Sequence, residues 1–402
     1  MSIPTPSPAG FPRALLEQPT TARLRYFETK VIAHQQLKQV HADLWHAIRH
    51  PAGASLIFVF GPTGVGKTTL RQRIERQLIE DALADPTTTP GHIPVVGMEA
   101  ASPDSGNFSW KDYYTRALMA LDEPLLSDKI GYEVRGVHRD DQGRLVIERT
   151  LTVPDLRRVL EKCLLHRRPR AFLVDEAQHF RKMTSGRRLL DQMDNLKSLA
   201  NMTNTVHVLI GTYDLLGLMN LSAQLSRRSI EIHFPRYHAE SATDLAEFKK
   251  LLRTLQRHLP LPEEPDLEGR YEYFYERSLG CTGMLKTWLN RALAAALEHN
   301  ASTLTQRLCE QHAESLQKLK HMIREIREGE QALQENEADA RELRAFLKLG
   351  SDLTPPRDTP LKTEQVAPAS SSPAQPRKGK GSSVGKRAPT RDRVGGEDQR
   401  AS

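Results

Sequence analysis

The chain has 402 residues, 38% of them hydrophobic, which is enough for one large or two medium globular domains. Its three cysteines lie far apart, which argues against a disulfide framework or a zinc site and for a reducing compartment. No apolar run approaches the ~20 residues of a membrane span, and the first residues lack the apolar segment of a signal peptide. We therefore predict a cytoplasmic protein without a membrane partner, whose net charge of +7 suits a polyanionic partner.

The order of the predicted elements indicates an α/β domain followed by helices. A helical pattern runs over about 23–50, and Pro51 ends it. Short apolar runs then alternate with helical patterns, which is typical of a parallel sheet covered on both faces. A hairpin is predicted over 133–150, with its turn at Asp-Gln-Gly. The predicted strands are 55–60, 93–100, 171–176, 206–212 and 230–234.

Composition and pattern divide the chain into five parts. Residues from about 351 onward are rich in Pro, Ser, Gly and basic residues, so we expect them to be disordered, as a solubilising tail or as an arm that binds DNA or a partner. Residues 302–348 predict a long charged helix, either a coiled coil or, as we prefer, a helix packed on its own lid. The predicted parts are a flexible lead-in (1–22), a helix and α/β core (23–235), a helical lid (236–300), a helical extension (301–349) and a basic tail (350–402).

One glycine-rich stretch follows a predicted strand and opens a helix. It fits the pattern GxxxxGK[ST], in which backbone N–H groups and the helix N-terminus hold phosphates. Lys67 is predicted to reach the β- and γ-phosphates, and the Thr68 hydroxyl to bind Mg²⁺. The predicted ATP-binding residues here are Gly61, Pro62, Thr63, Gly64, Val65, Gly66, Lys67, Thr68 and Thr69.

Two acidic residues end another buried strand. Because the carboxyl ends of parallel strands share one edge of the sheet, we expect them beside the glycine-rich loop. Asp175 is predicted to hold Mg²⁺, and Glu176 to polarise the attacking water. The next strand ends in Thr212, whose hydroxyl is predicted to bond the γ-phosphate or the water, unless it is only a turn residue.

A pair of arginines, Arg227 and Arg228, follows the strand that ends in Thr212 and precedes the helical segment. This order of parts resembles that of AAA+ ATPases, in which such an arginine enters the nucleotide site of a neighbouring subunit. The resemblance implies that Arg227 or Arg228 acts in trans; the alternative is a solvated pair at a helix end. It also implies that Lys286, in the lid phrase TGMLK, senses the bound nucleotide.

Several longer sequence segments between about residues 23 and 300 are more specific for one protein family than the glycine-rich GxxxxGK[ST] motif, the P-loop. They are IPVV with the helix WKDYYTRALMALDEP, FLVDEAQHF, VHVLIGTYDLL, SAQLSRR before IEIHFPRY, and GCTGMLKTWLNRAL. In these segments the chain resembles the TniB/TnsC-type transposition regulators, which are related to MuB. That resemblance implies a bacterial, cytoplasmic ATPase that forms a ring or filament on double-stranded DNA. Such an assembly links a target-selection protein to the transposase, and ATP hydrolysis disassembles it.

The same resemblance places DNA contacts in the loops after the second strand and after the Asp-Glu strand. Basic side chains there would neutralise phosphates and release counterions, so DNA affinity would fall with salt. The candidates are Lys111, Arg181, Lys182, Arg187 and Arg188.

Two other functions stay open at this stage. One is a different AAA+ ATPase, such as a helicase loader or an ExeA-like secretion ATPase. The other is a scaffold that binds ATP and partners but hydrolyses little, against which the presence of Glu176 argues.

Overall fold

The structure is a computed structural model, and it describes residues 10–89, 91–102, 108–121, 137–139, 142, 145–147, 152–181, 187–219, 227–334 and 337–349. By internal contacts the chain divides into two units, residues 1–334 and 335–402. Within residues 337–349, the described part of the second unit, there is one helix, Glu337–Phe346. The rest of the predicted tail, from residue 350, and the lead-in up to residue 9 lie outside the described residues. Each helix in the described part of the chain is too short or too polar to span a membrane.

The core of the first unit is a parallel sheet of five strands in the order β2-β5-β6-β1-β7. All five predicted strands are present. Four of them are one to three residues shorter than predicted, and the last is shifted by one residue. This confirms the α/β fold class. The strands are β1 (Leu56–Phe60), β2 (Val95–Glu99), β5 (Ala171–Asp175), β6 (Val206–Gly211) and β7 (Ser229–His233).

Helices cover both faces of this sheet, as the buried apolar strands require. One face packs Phe58, Phe172 and Leu209 against α4 (Trp110–Ala120), α5 (Val153–Arg167) and α6 (Arg187–Thr203). The other face packs Ile57, Leu173 and Val208 against α2 (Gln35–Arg49) and α3 (Lys67–Ala84). A short helix α7 (Leu216–Met219) follows β6. The predicted hairpin is also present: β3 (Val137–Arg139) pairs antiparallel with β4 (Leu145–Ile147).

The prediction of one helix over 23–50 was wrong. The segment forms two helices, α1 (Thr20–Thr29) and α2, separated by extended residues 30–34. The break allows the two helices to enter different cores. Phe27 of α1 is fully buried in the core of the lid, whereas Leu44 of α2 is fully buried against the sheet. A continuous helix could not point both faces in these directions.

The helices after β7 form the lid, with Leu289 and Trp288 at the centre of its core. They are α8 (Ala242–His258), α9 (Tyr271–Ser278) and α10 (Thr282–Glu298). The predicted single helix over 302–348 was wrong, since α11 (Gln306–His312), α12 (Leu316–Ala332) and α13 (Glu337–Phe346) are separate. The Ser315 side chain accepts a hydrogen bond from the backbone N–H of Lys318 and starts α12 as a cap.

Helices α11 and α12 of the extension belong to the first unit and pack on different parts of it. Cys309 of α11 belongs to the lid core, which agrees with the preferred interpretation of a helix packed on its own lid. Helix α12 instead lies against the end of β6, where Gly329 approaches the Tyr213 ring so closely that a Cβ atom would overlap it. This second contact places α12 beside the edge of the sheet that carries the predicted nucleotide residues.

Candidate nucleotide site

The glycine-rich loop links β1 to α3 in the conformation that its sequence predicts. Gly64 and Gly66 have φ of 78° and 114°, a region that residues with a Cβ rarely adopt. Helix α3 begins at Lys67, so its first N–H groups face the loop and have no partners within the helix. A loop of this shape offers an anion-binding site at a helix N-terminus.

Lys67 is almost completely buried within the loop. Its Nζ donates to the carbonyl oxygens of Gly61 at 3.0 Å and Pro62 at 2.9 Å. Burial lowers the pKa of the Lys67 ammonium, although the nearby Glu176 and Asp175 carboxylates oppose this effect. The amine therefore lies inside the loop among opposite charges, where it can move from carbonyl oxygens to a bound phosphate.

Thr68 and Asp175 form the predicted pair for a metal ion. The Thr68 hydroxyl donates to Asp175 Oδ2 at 2.8 Å, and Asp175 is only 3% exposed. A hydroxyl oxygen and a carboxylate oxygen are ligands of the type that Mg²⁺ prefers, together with waters and phosphate oxygens. These two residues therefore fit Mg²⁺, and their contact explains why a hydroxyl must follow Lys67.

Glu176 follows β5 in a left-handed conformation, with φ of 53°. Its carboxylate accepts a hydrogen bond from Nε2 of Gln178, with Oε2 at 2.5 Å. Gln178 Oε1 in turn accepts the backbone N–H of Thr212 at 3.2 Å. The sequence phrase Asp-Glu-Ala-Gln-His contains Gln178, but nothing in its spacing predicted this bridge between two strands.

Most of the predicted nucleotide residues line one cavity of about 440 Å³, although Gly61, Pro62, Val65 and Asp175 do not. The loop side supplies Thr63, Gly64, Gly66, Lys67, Thr68 and Thr69, and the strand ends supply Glu176, Gln178 and Thr212. The Thr212 hydroxyl donates to Asp214 Oδ2 at 3.4 Å, so it already has a partner beside the cavity. The structure thus brings together residues that are far apart in sequence, as the parallel sheet predicts.

The lid closes directly on the loop. The Thr282 hydroxyl donates to the Val65 carbonyl oxygen at 2.7 Å, and the Met284 N–H donates to the Gly64 carbonyl oxygen at 3.0 Å. A Cβ atom on Gly283 would lie 2.6 Å from the Gly64 oxygen, so the glycine is needed for this approach. The first turn of α10 therefore forms one wall of the cavity.

Lys286 lies on a different face of α10 from the residues that line this cavity. Its Nζ donates to the carbonyl oxygen of Phe27 and lies 3.3 Å from the centre of the Phe27 ring. Burial lowers the pKa of Lys286 to about 7. The residue lines a neighbouring cavity of about 120 Å³ that also reaches Gly66 and Thr69.

The 440 Å³ cavity is also lined by a group of charged residues from the lid, α12 and the residue before its cap. Glu314 accepts from Arg291 and from Lys318, both at 2.9 Å, and its backbone carbonyl accepts from Arg277 at 3.2 Å. All four residues line the 440 Å³ cavity. No sequence pattern joins them to the P-loop, because only the folded positions of α9, α10 and α12 bring them there.

Arg227 and Arg228 are exposed and lie at the amino ends of the strands, whereas the loop lies at the carboxyl ends. The carbonyl oxygen of Arg228 accepts the N–H of Ser55 at 3.1 Å, just before β1 begins. The loop follows the other end of β1, roughly 13 Å away at the ~3.3 Å rise per residue of a parallel strand. Neither guanidinium lines the cavity of its own chain.

Of the residues predicted to contact DNA, three lie in helices, one lies in the turn after β5, and one lies outside the described residues. Lys111 lies in the first turn of α4, while Arg187 and Arg188 begin α6. Arg181 forms an ion pair with Asp214, with Nη1 2.7 Å from Oδ1, so its charge is already partly compensated. Lys182 lies outside the described residues.

One family profile matches the part of the chain that contains the P-loop and the two acidic residues. Residues 49–219 match the family profile described as "AAA domain", while no curated protein matches the sequence significantly. The Aeropyrum pernix ORC1 protein in complex with DNA is similar at 16% identity and a TM-score of 0.48, over 73% of this chain and 68% of that chain. The A. pernix ORC2 protein in ADPNP-ADP complexes is similar at 15% identity and a TM-score of 0.47, over 74% and 73%.

A Walker-type ATPase of Pyrococcus abyssi is similar at 14% identity and a TM-score of 0.45, over 80% of each chain. The family match spans the loop, Asp175, Glu176 and Thr212. The loop, Glu176 and Thr212 line the cavity, and Asp175 accepts a hydrogen bond from Thr68 beside it. Residues 49–219, which contain the P-loop and the acidic end of β5, therefore match an AAA-type P-loop ATPase domain.

Proposed function

We propose that this protein is an ATP-dependent, DNA-binding, self-assembling regulator of DNA transposition. In this proposal a ring or filament of copies on double-stranded DNA links a target-selection protein to the transposase, and ATP hydrolysis disassembles it. The support is the sequence resemblance to TniB/TnsC-type regulators together with the nucleotide site. One observation carries the self-assembly: the paired arginines lie away from the nucleotide site of their own chain.

The position of Arg227 and Arg228 favours a role for them at the site of another copy. Hydrolysis of a γ-phosphate needs cationic groups that stabilise the charge of the transition state. Arg227 and Arg228 are exposed at the amino end of β7, away from the site of their own chain, and are therefore accessible to a second copy. A head-to-tail arrangement of this kind repeats into a ring or a helical filament.

Mixing two inactive variants tests this arrangement directly. Glu176→Gln lacks the residue that polarises water but keeps both arginines, whereas the double change Arg227→Ala and Arg228→Ala keeps Glu176. Each variant alone should lose most ATP turnover. A 1:1 mixture should recover activity, because about a quarter of random head-to-tail contacts then join an intact site to intact arginines.

Controls separate assembly from catalysis. Both variants should still bind a fluorescent ATP analogue, and replacing the exposed Arg307 and Arg324 by alanine should leave turnover unchanged. If the 1:1 mixture is as inactive as its components, or if the arginine variant alone turns over ATP normally, the arginines do not act in trans.

The DNA-binding part of the proposal has its own test. Electron microscopy with duplex DNA and a slowly hydrolysed ATP analogue should show rings or filaments, and binding should weaken steeply as salt rises. ATP turnover per molecule should increase with protein concentration. Monomers on bare DNA, with turnover independent of concentration, would favour a different AAA+ function, such as a helicase loader or an ExeA-like ATPase.

A further inference from the structure

We propose that Gln178 is a positioning residue for ATP hydrolysis, which holds the Glu176 carboxylate against the end of strand β6. The inference rests on the proposed ATPase activity of the site. Gln178 lies in the turn Ala177–Arg181, directly after the two acidic residues, and it lines the same cavity as Lys67 and Thr68.

The two hydrogen bonds of Gln178 fix the orientation of its amide group. Its Oε1 accepts the Thr212 backbone N–H at 3.2 Å, and a backbone N–H can only donate. The NH₂ group must therefore face Glu176, where Nε2 lies 2.5 Å from Oε2. Reversing the amide would place two donors together at Thr212 and two acceptors together at Glu176.

Gly211 provides the space for this bridge. A Cβ atom at position 211 would lie 2.4 Å from Gln178 Oε1 and 3.2 Å from the Gln178 backbone nitrogen. Gly211 does not adopt a positive φ, since it is the last residue of strand β6 and pairs with Phe60. The glycine at the end of the strand is therefore required by the neighbouring amide and not by backbone conformation.

The conformation of Glu176 explains why its side chain needs such support. With φ of 53° the residue has left the strand, so the alternation of the sheet no longer directs its side chain. A left-handed conformation is unfavourable for a non-glycine residue and persists when surrounding contacts hold it. The Gln178 bridge is the contact that ties the carboxylate to strand β6.

The chemical step shows what the bridge would do. The oxygen of a water attacks the γ-phosphorus, the bond from phosphorus to the β–γ bridging oxygen breaks, and ADP leaves with that oxygen. Glu176 accepts a proton of the water, so inorganic phosphate forms and the proton is later released to solvent. Because catalysis of phosphoryl transfer depends mainly on positioning, a carboxylate held in one orientation raises kcat more than it changes ATP binding.

The test compares kinetic constants of variants of the full chain. Gln178→Ala should lower kcat about 10–100-fold, the size expected when a reacting group is misplaced by about 1 Å, while KM for ATP stays within twofold. Gln178→Glu keeps the size of the side chain but replaces the N–H donor by a second carboxylate, so its kcat should be at least as low. If Gln178 only filled space, this change to a side chain of the same size would leave kcat unchanged.

Gly211→Ala tests the same bridge without altering Gln178, because the new methyl group displaces the amide. It should lower kcat as Gln178→Ala does, and the double variant should be no worse than either single one, since both remove one interaction. Gln256 is a matched control: its Nε2 donates to Glu264 at 2.7 Å and its Oε1 accepts the N–H of Leu267 at 3.1 Å, but it lies in the lid. Gln256→Ala should leave kcat unchanged.

Specific results would overturn the inference. An unchanged or increased kcat in Gln178→Ala means that the bridge does not orient Glu176 for hydrolysis, and a change in KM alone means that Gln178 serves only binding. Additive losses in the double variant would show that Gly211 and Gln178 act separately. If the unaltered chain does not hydrolyse ATP with Mg²⁺ and duplex DNA at high protein concentration, the proposed ATPase function fails instead.

Discussion

Arg236 and Glu330 form a two-bond ion pair between the start of the lid and helix α12. Arg236 Nε lies 2.8 Å from Oε1 of Glu330, and Nη2 lies 3.1 Å from Oε2. The two side chains are only 9% and 14% exposed, and Arg236 also donates to the Tyr275 hydroxyl at 3.0 Å. This pair fixes α12 beside the nucleotide cavity, which Lys318 and Met322 of the same helix line.

Glu330→Gln should destabilise the first unit strongly. The change leaves the guanidinium of Arg236 in a nearly buried place without its opposite charge, and breaking such a pair costs about 3 kcal/mol. Urea denaturation measures the loss. Glu268→Gln is the matched control, because its pair with Arg253 also has two hydrogen bonds but Arg253 is 52% exposed. The control should cost less than about 1 kcal/mol; equal losses would contradict the assignment.

Gly329→Ala should loosen α12 from the end of β6. A Cβ atom at position 329 would lie 2.2–2.6 Å from atoms of Tyr213, so the helix or the ring must move. We expect limited proteolysis to cleave the segment after Ser315 faster than in the unaltered chain. Gln331→Ala, on the exposed side of the same helix, should leave the cleavage rate unchanged. A rate that Gly329→Ala does not alter would mean that α12 tolerates the methyl group in place.

The parts of the fold that sequence could predict depend on local chemistry. The runs Leu56–Phe60 and Ala171–Asp175, which are apolar except for Asp175, are buried at every residue. Such a run predicts a strand in the middle of a parallel sheet. The P-loop needs glycine where φ is positive, and the glycines in the sequence mark these positions. Because strand ends of a parallel sheet share one edge, Asp175 and Thr212 could be assigned to the site as well.

The parts that sequence could not predict depend on contacts between distant segments. The break at residues 30–34 exists because Phe27 and Leu44 enter two different cores, and no local signal marks this division. Lys286 has the sequence position at which a lid residue is expected to sense nucleotide, but its Nζ donates to the carbonyl oxygen of Phe27. Gln178 could not be assigned because its bridge requires the space beside Gly211, which only the folded sheet reveals.

The stability contributed by position 286 should depend on pH. Burial lowers the pKa of Lys286 to about 7, from 10.5 in the unfolded chain. Between these values the unfolded state binds more protons, so the free energy of unfolding should rise with pH by about 1.4 kcal/mol per unit at most. Urea denaturation at pH 7, 8 and 9 should show this rise relative to Lys286→Met. Parallel curves for the two proteins would mean that the amine remains charged when folded.

Asp175→Asn should remove the effect of Mg²⁺ on nucleotide binding. The amide keeps the shape of the side chain and an oxygen that can accept from Thr68, but it lacks the charge that holds a divalent cation. Titration of a fluorescent ATP analogue should show that Mg²⁺ tightens binding to the unaltered chain by about 10–100-fold, the scale of metal-site effects. In the variant, affinities with Mg²⁺ and with EDTA should be equal. Asp112→Asn, at an exposed pair with Arg116, should behave as the unaltered chain. A variant whose affinity still responds to Mg²⁺ would show that other ligands hold the metal ion.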